Sequence, residues 1–157
     1  MLKSTFNEIL KFVIEEKEKA YLRYRNLAEW VKDREAKKYM DIIANEEKKH
    51  LEELINLRNS SLIPTNHKNK YVRLKGTYYS SDCGQIESDS DYKQVLKAAI
   101  CEEEKNAQIY CDMAYHAPTH DIFELFMFFN QQEMEHKKIL EEKLSLGGFH
   151  NSNKKLK

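Results

Sequence analysis

Glycine and proline are scarce in this chain, 4 and 2 in 157 residues. Little interrupts regular structure, and long helices are expected. No run of about 18 apolar residues occurs, so no transmembrane helix is expected. The first residues carry no long apolar core of the kind a secretory signal needs. Neither charge sign dominates: 26 Lys and Arg balance 26 Asp and Glu. A general nucleic-acid or anionic-membrane binder would carry a basic excess, so neither partner is expected. Cysteine is sparse too. Cys83, Cys101 and Cys111 form no CxxC pair, which removes a four-thiolate iron or zinc site. Cys101 and Cys111 would lie about 15 Å apart on one helix, too far to bridge. Reduced thiols in a cytoplasmic protein are the simplest reading.

What is present is a repeated tetrad. Glu47-Lys48-Lys49-His50 has a counterpart in Glu133-Met134-Glu135-His136, at an offset of 133 − 47 = 86. A Glu and a His three residues apart project from one helix face, since three steps turn through about 300°. The same offset carries Val13-Ile14 onto Ala99-Ile100, Tyr24 onto Tyr110, Ala28 onto Ala114, and Leu10 onto Leu96. The chain therefore reads as an internal duplication, each half a pair of helices.

Thr5 with Glu8 forms a capping box that opens the first helix. Phe6, Ile9, Leu10, Val13, Ile14 and Tyr24 continue it at helical spacing. A break at Trp30 to Asp33, with Asp33 as N-cap, leads into a second helix ending near Leu57. Residues 58 to 90 are rich in turn formers and read as a crossover joining two parallel helices. Tyr71, Val72, Leu74, Tyr78 and Tyr79 are its candidate anchors. Asp91 with Gln94 opens a third helix to about Tyr115. A fourth begins near Thr119 or Asp121 and ends at Gly147-Gly148. It carries more aromatics than one core stripe uses, which points to a subunit interface or to packing under the crossover. One domain over 1–149 with a disordered tail at 150–157 is the expected organisation.

In bundles of this design, metals are held by one Glu from each of two helices and Glu-x-x-His from each of the other two. Helices two and four supply Glu47 with His50 and Glu133 with His136. Helix three supplies Glu103, seven residues before Tyr110 and on its face. Helix one should supply a Glu at 103 − 86 = 17, but the residue there is Lys17. Glu16 and Glu18 flank it about 100° off the face. Tyr24 and Tyr110 are either core tyrosines or hydrogen-bond partners of the ligand carboxylates that could pass electrons. His67, His116, His120 and His150 read as surface residues, and Cys83 as an exposed, oxidisable thiol that nothing activates.

The stretches Val13-Ile14 through Tyr24-x-x-x-Ala28, Glu46-Glu47-Lys48-Lys49-His50, Ala99-Ile100-x-x-Glu103 through Tyr110-x-x-x-Ala114, and Gln132-Glu133-Met134-Glu135-His136 carry a family resemblance. Together they resemble the rubrerythrin-like branch of the ferritin-like superfamily, in its short form without a rubredoxin domain. The resemblance implies an all-α four-helix bundle with a long crossover between helices two and three, usually as a homodimer. It implies Glu47 and Glu133 as bridging carboxylates, with His50, His136 and Glu103 as terminal ligands of a diiron centre. It implies reduction of peroxide or dioxygen in oxidative-stress defence, with electrons from an external donor. Two positions depart from the pattern: Lys17, and Asn106 where longer relatives add a second helix-three Glu.

Lys17 leaves three outcomes open: two metals with water replacing the missing glutamate, one metal, or a metal-free bundle stapled by a salt bridge. An oxidoreductase of peroxidase type, an iron-binding protein without turnover, and a structural bundle correspond to them.

Overall fold

The computed structural model describes residues 3–73, 83–84 and 92–145. Four long helices dominate them: α1 Phe6–Trp30, α2 Arg34–Asn59, α4 Tyr92–Tyr115 and α5 His120–Ser145. Between α2 and α4 lie a single-turn helix, α3 Thr65–Lys68, and a short strand, β2 Tyr71–Arg73. The strand pairs antiparallel with β1 Lys3–Thr5, placing Ser4 opposite Val72.

The helix starts follow from local chemistry. The Thr5 hydroxyl accepts from the Glu8 amide while the Glu8 carboxylate accepts from the Thr5 amide, closing the expected capping box. Asp33 caps α2 by accepting from the Ala36 amide at 3.0 Å. Thr119 does the same for α5, accepting from the Ile122 amide at 3.3 Å. α2 runs two residues beyond Leu57, to Asn59. The expected Asp91 start, the Gly147-Gly148 stop and the tail lie outside the described residues.

Apolar side chains form two separate clusters. One gathers Phe6, Leu10 and Val13 of α1 with Leu54 and Leu57 of α2, Met113 of α4 and Phe126 of α5. The other gathers Leu27 of α1, Ala36 and Met40 of α2, Leu96 of α4 and Leu140 of α5. α2 thus ends where α4 ends, and α4 begins at the opposite end of the bundle. The two run parallel, so the chain between them must travel the bundle's length. That is the expected crossover.

The anchors of the crossover are partly as expected. Val72 is buried, but Tyr71 on the opposite face of the strand is 70% exposed, because alternate strand residues point to opposite faces. Leu74, Tyr78 and Tyr79 lie outside the described residues. His67 and His116 are not free surface residues: His67 Nε2 donates to the His116 carbonyl at 2.7 Å, and the His67 ring packs edge-on against Phe6. They tie the crossover's start to the α4–α5 turn.

The expectation of reduced thiols fails at two of the three cysteines. Cys83 and Cys101 form a disulfide, with Cα atoms 5.5 Å apart, while Cys111 is free and exposed. Cys83 is half-buried against α4 instead of standing free in the crossover.

The aromatic surplus of α5 divides between two faces. Phe126 and Phe129 are fully buried, while Phe123 and Phe128 remain substantially exposed. Among the described residues, no helix is long and apolar enough to cross a membrane.

Candidate metal centre

Between the two apolar clusters lies a polar layer. Lys17, Glu47, His50, Glu103, Glu133 and His136 meet there, none more than 3% exposed. Carboxylates without water are costly unless a cation or hydrogen-bond donors compensate them. The question at each oxygen is therefore which cation faces it.

On one side of the layer that cation is Lys17. Its ammonium donates to Glu47 Oε2 and to Glu133 Oε1, and lies 5.1 Å from the centroid of the Tyr110 ring. Burial by itself would lower the Lys17 pKa, but Glu133 and Glu47 outweigh it and hold the ammonium well above its ordinary value. Lys17 is therefore charged. His50 stands beside it, Nδ1 3.2 Å from Glu133 Oε1 and 3.9 Å from Glu47 Oε2.

On the other side, Glu47, Glu103, Glu133 and His136 each turn a donor atom toward a common point, all within 4.8 Å of one another. From His136 Nδ1 the separations are 3.7 Å to Glu47 Oε1, 3.5 Å to Glu103 Oε2 and 3.9 Å to Glu133 Oε2. These four atoms are buried, and none has a hydrogen-bond partner among the described residues. Three carboxylate oxygens and an imidazole nitrogen form a hard, anionic set suited to a divalent first-row metal. The residues on this side fit one metal ion.

In the metal-free centre a protonated His136 is the cation on this side. His136 Nε2–H donates to Glu46 Oε2, which leaves Nδ1 for the centre. Burial lowers the His136 pKa, but the Glu103 and Glu46 carboxylates beside the ring override this and push it up to about 11. Hydrogen bonding to His136 in turn lowers the Glu46 pKa. Burial raises Glu47, with Glu133 adding to it and Lys17 only partly offsetting it, so its pKa lies above the ordinary value. Burial also acts to raise Glu103, but its contacts with Glu133 and His136 prevail and lower it.

The two tyrosines behave differently. The Tyr24 hydroxyl donates to Glu103 Oε1 at 2.5 Å, as expected for a residue supporting a ligand carboxylate. Burial and then Glu103 raise its pKa well above the ordinary value, keeping it protonated. The Tyr110 hydroxyl, its counterpart across the duplication, has no hydrogen-bond partner among the described residues. The glutamate it would face is replaced by Lys17.

Two solved structures share this architecture. A Thermotoga maritima protein described as ferritin-like diiron-carboxylate superposes with a TM-score of 0.78 at 22% identity, over 90% of this chain and 95% of that one. A hypothetical protein from Pyrococcus furiosus gives a TM-score of 0.71 at 21% identity, over 96% of this chain and 93% of the other. This chain has the ferritin-like fold. No family model and no curated protein sequence matches it.

In this ferritin-like bundle, the expected residues Glu47, Glu103, Glu133 and His136 converge, and Tyr24 supports them. His50 belongs to the other side of the layer, with Lys17. Two contributors lie in the stretches that carry the resemblance but are given no role there. Glu46 accepts from His136, and Gln132 Oε1 bonds His50 Nε2. They are related by the same offset, 132 − 46 = 86. The repeat therefore contained the signal, although each residue is turned about 100° from the inward face and reaches the layer only through a histidine.

Proposed function

We propose that this chain binds iron at Glu47, Glu103, Glu133 and His136 and removes peroxide or dioxygen, a rubrerythrin-like role in oxidant defence. The observation that carries the reading is the convergence of four buried donor atoms, none of them hydrogen-bonded. In the metal-free centre the His136 proton offsets part of the cost of burying them, and a metal ion would take that proton's place. A ferrous ion held there would supply one electron and a Lewis-acidic position for a small oxidant, and the second electron that peroxide reduction needs would come from the external donor.

The chain's own residues do the remainder. Glu46 fixes the His136 ring and its tautomer, so Nδ1 stays directed into the layer. Tyr24 holds one Glu103 oxygen and leaves the other free. The apolar clusters above and below the layer shield it from bulk water. Electrons for repeated turnover come from an external donor.

A second reading, iron binding without turnover, is favoured by Lys17, which occupies one oxygen of each carboxylate expected to bridge two irons. Anaerobic loading with Fe(II), desalting and addition of peroxide with a reductant separates the two. Peroxide consumed in large excess over iron supports the first. A single stoichiometric oxidation supports the second. A chain that retains no iron after desalting removes both.

A further inference from the structure

We propose that Lys17 is the second cation of this centre. Its ammonium takes the place of one metal of a two-metal site, so the chain binds one metal ion, on the His136 side only. The inference rests on the metal-binding reading above and fixes its stoichiometry and position.

The carboxylates themselves carry the argument. Glu47 and Glu133 each divide their two oxygens: Oε2 of Glu47 and Oε1 of Glu133 accept from Lys17 Nζ. The remaining oxygen of each is buried, unpartnered and turned toward His136 Nδ1. Both carboxylates are thus arranged to span two cations, one of which is part of the polypeptide. A metal on the His50 side would have to displace the ammonium from the oxygens it needs. The displaced charge would then sit beside the metal, in a buried layer that screens it weakly.

The surroundings of the two histidines differ in the same direction. His136 has Glu46 at its outer nitrogen and Glu103 beside its inner one. At the positions related by the 86-residue offset, His50 has Gln132 and Lys17. These pairs sum to −2 on one side and +1 on the other. The Tyr110 hydroxyl marks the same change: Tyr24 bonds Glu103, whereas the Tyr110 hydroxyl has no hydrogen-bond partner among the described residues and Lys17 lies over its ring. A divalent cation is drawn to the His136 side by this whole set of substitutions, not by Lys17 alone.

The test uses the full-length chain, stripped with chelator and loaded anaerobically with Fe(II), with metal per chain measured after desalting. A parallel loading with Mn(II) is read by electron paramagnetic resonance, which separates an isolated ion from an exchange-coupled pair. One metal per chain and an isolated-ion spectrum are expected. His136→Ala should weaken binding beyond the roughly 10–100-fold typical of losing a partner outside the ligand shell. His50→Ala should still retain one metal. Lys17→Glu should raise the ratio to two and give a coupled Mn(II) pair. The histidine comparison remains decisive even where Lys17→Glu does not fold. Two metals in the unaltered chain, or equal losses in the two histidine variants, overturn the role of Lys17 and leave a metal centre standing. No metal in the unaltered chain overturns the metal centre itself, and this inference with it.

Discussion

Replacing Lys17 by methionine removes the ammonium while keeping an unbranched side chain of similar length. In the metal-free protein it leaves Glu47 and Glu133, each at 0% exposure, without the ammonium they share. Breaking a buried ion pair by deleting one partner costs about 3–5 kcal/mol, because the stranded charge stays buried. For a chain of this length, each kcal/mol moves the midpoint of thermal unfolding by roughly 2–4 °C. Lys17→Met should therefore unfold roughly 6–20 °C below the parent at pH 7 with chelator present, by circular dichroism.

The cost should also depend on pH. Burial and Glu133 already raise the Glu47 pKa, and Lys17 is what restrains it. Without Lys17 the folded state binds a proton that the unfolded state has lost above about pH 4.5. Stability of the variant then rises as pH falls, and the gap to the parent narrows between pH 7 and 5. Changing Glu47 and Glu133 to glutamine as well should recover much of the loss, because the cost is charge and not volume. A loss below about 1 kcal/mol, flat from pH 5 to 7, would refute a buried charged Lys17.

Two further outcomes can be measured. His136, held up to about 11 in the metal-free centre, is an imidazolium at pH 7, so loading a metal onto Nδ1 should release about one proton. Calorimetry with Mn(II) in buffers of different protonation enthalpy reads that proton directly, and none released means His136 is already neutral. The raised pKa also means that the metal-free fold gains from His136 fully below about pH 6.5 and loses that gain as pH climbs toward 11. The Cys83–Cys101 disulfide closes a loop with a sequence separation of 18, worth about 3 kcal/mol if chain entropy governs it. Reductant or Cys83→Ser should lower the unfolding midpoint of the metal-free chain accordingly, and an unchanged midpoint means that the bridge adds no stability.

The helices and most of the centre were legible because a repeat carries its own check. Tyr24 with Tyr110 and His50 with His136 fixed one register, and that register placed Lys17 at a ligand position where local sequence gave no hint. Lys17 stands in Glu15-Glu16-Lys17-Glu18-Lys19 and reads as solvated surface by composition alone. Other features had no periodic signal. Strands of three residues are too short to show alternation, so the β1–β2 pairing and the outward Tyr71 could not be read. Cys83 meets Cys101 only because the crossover brings them together, which spacing does not encode. Glu46 and Gln132 shared the repeat's offset, but their partners are the outer nitrogens of histidines, so an inward-face rule passes them over.

Access to the layer follows from where those last two residues lie. Both bundle ends are closed by apolar clusters, and on the α1–α4 side Tyr24 and Tyr110 are each 1% exposed. Salt bridges cross that seam from Arg23 to Glu102 at 3.9 Å and from Lys105 to Glu16 at 3.8 Å. On the α2–α5 side, by contrast, the outer nitrogens of His50 and His136 meet Gln132 and Glu46, which are only half-buried. The Glu46 side chain is 35% exposed while bonded to a buried histidine. The proton on His136 Nε2 thus has a carboxylate in contact with both the ring and the solvent, whereas His50 has a neutral amide at the equivalent place. Of the two histidines, the one that belongs to the four-donor set is also the one whose outer proton has a route for exchange with water.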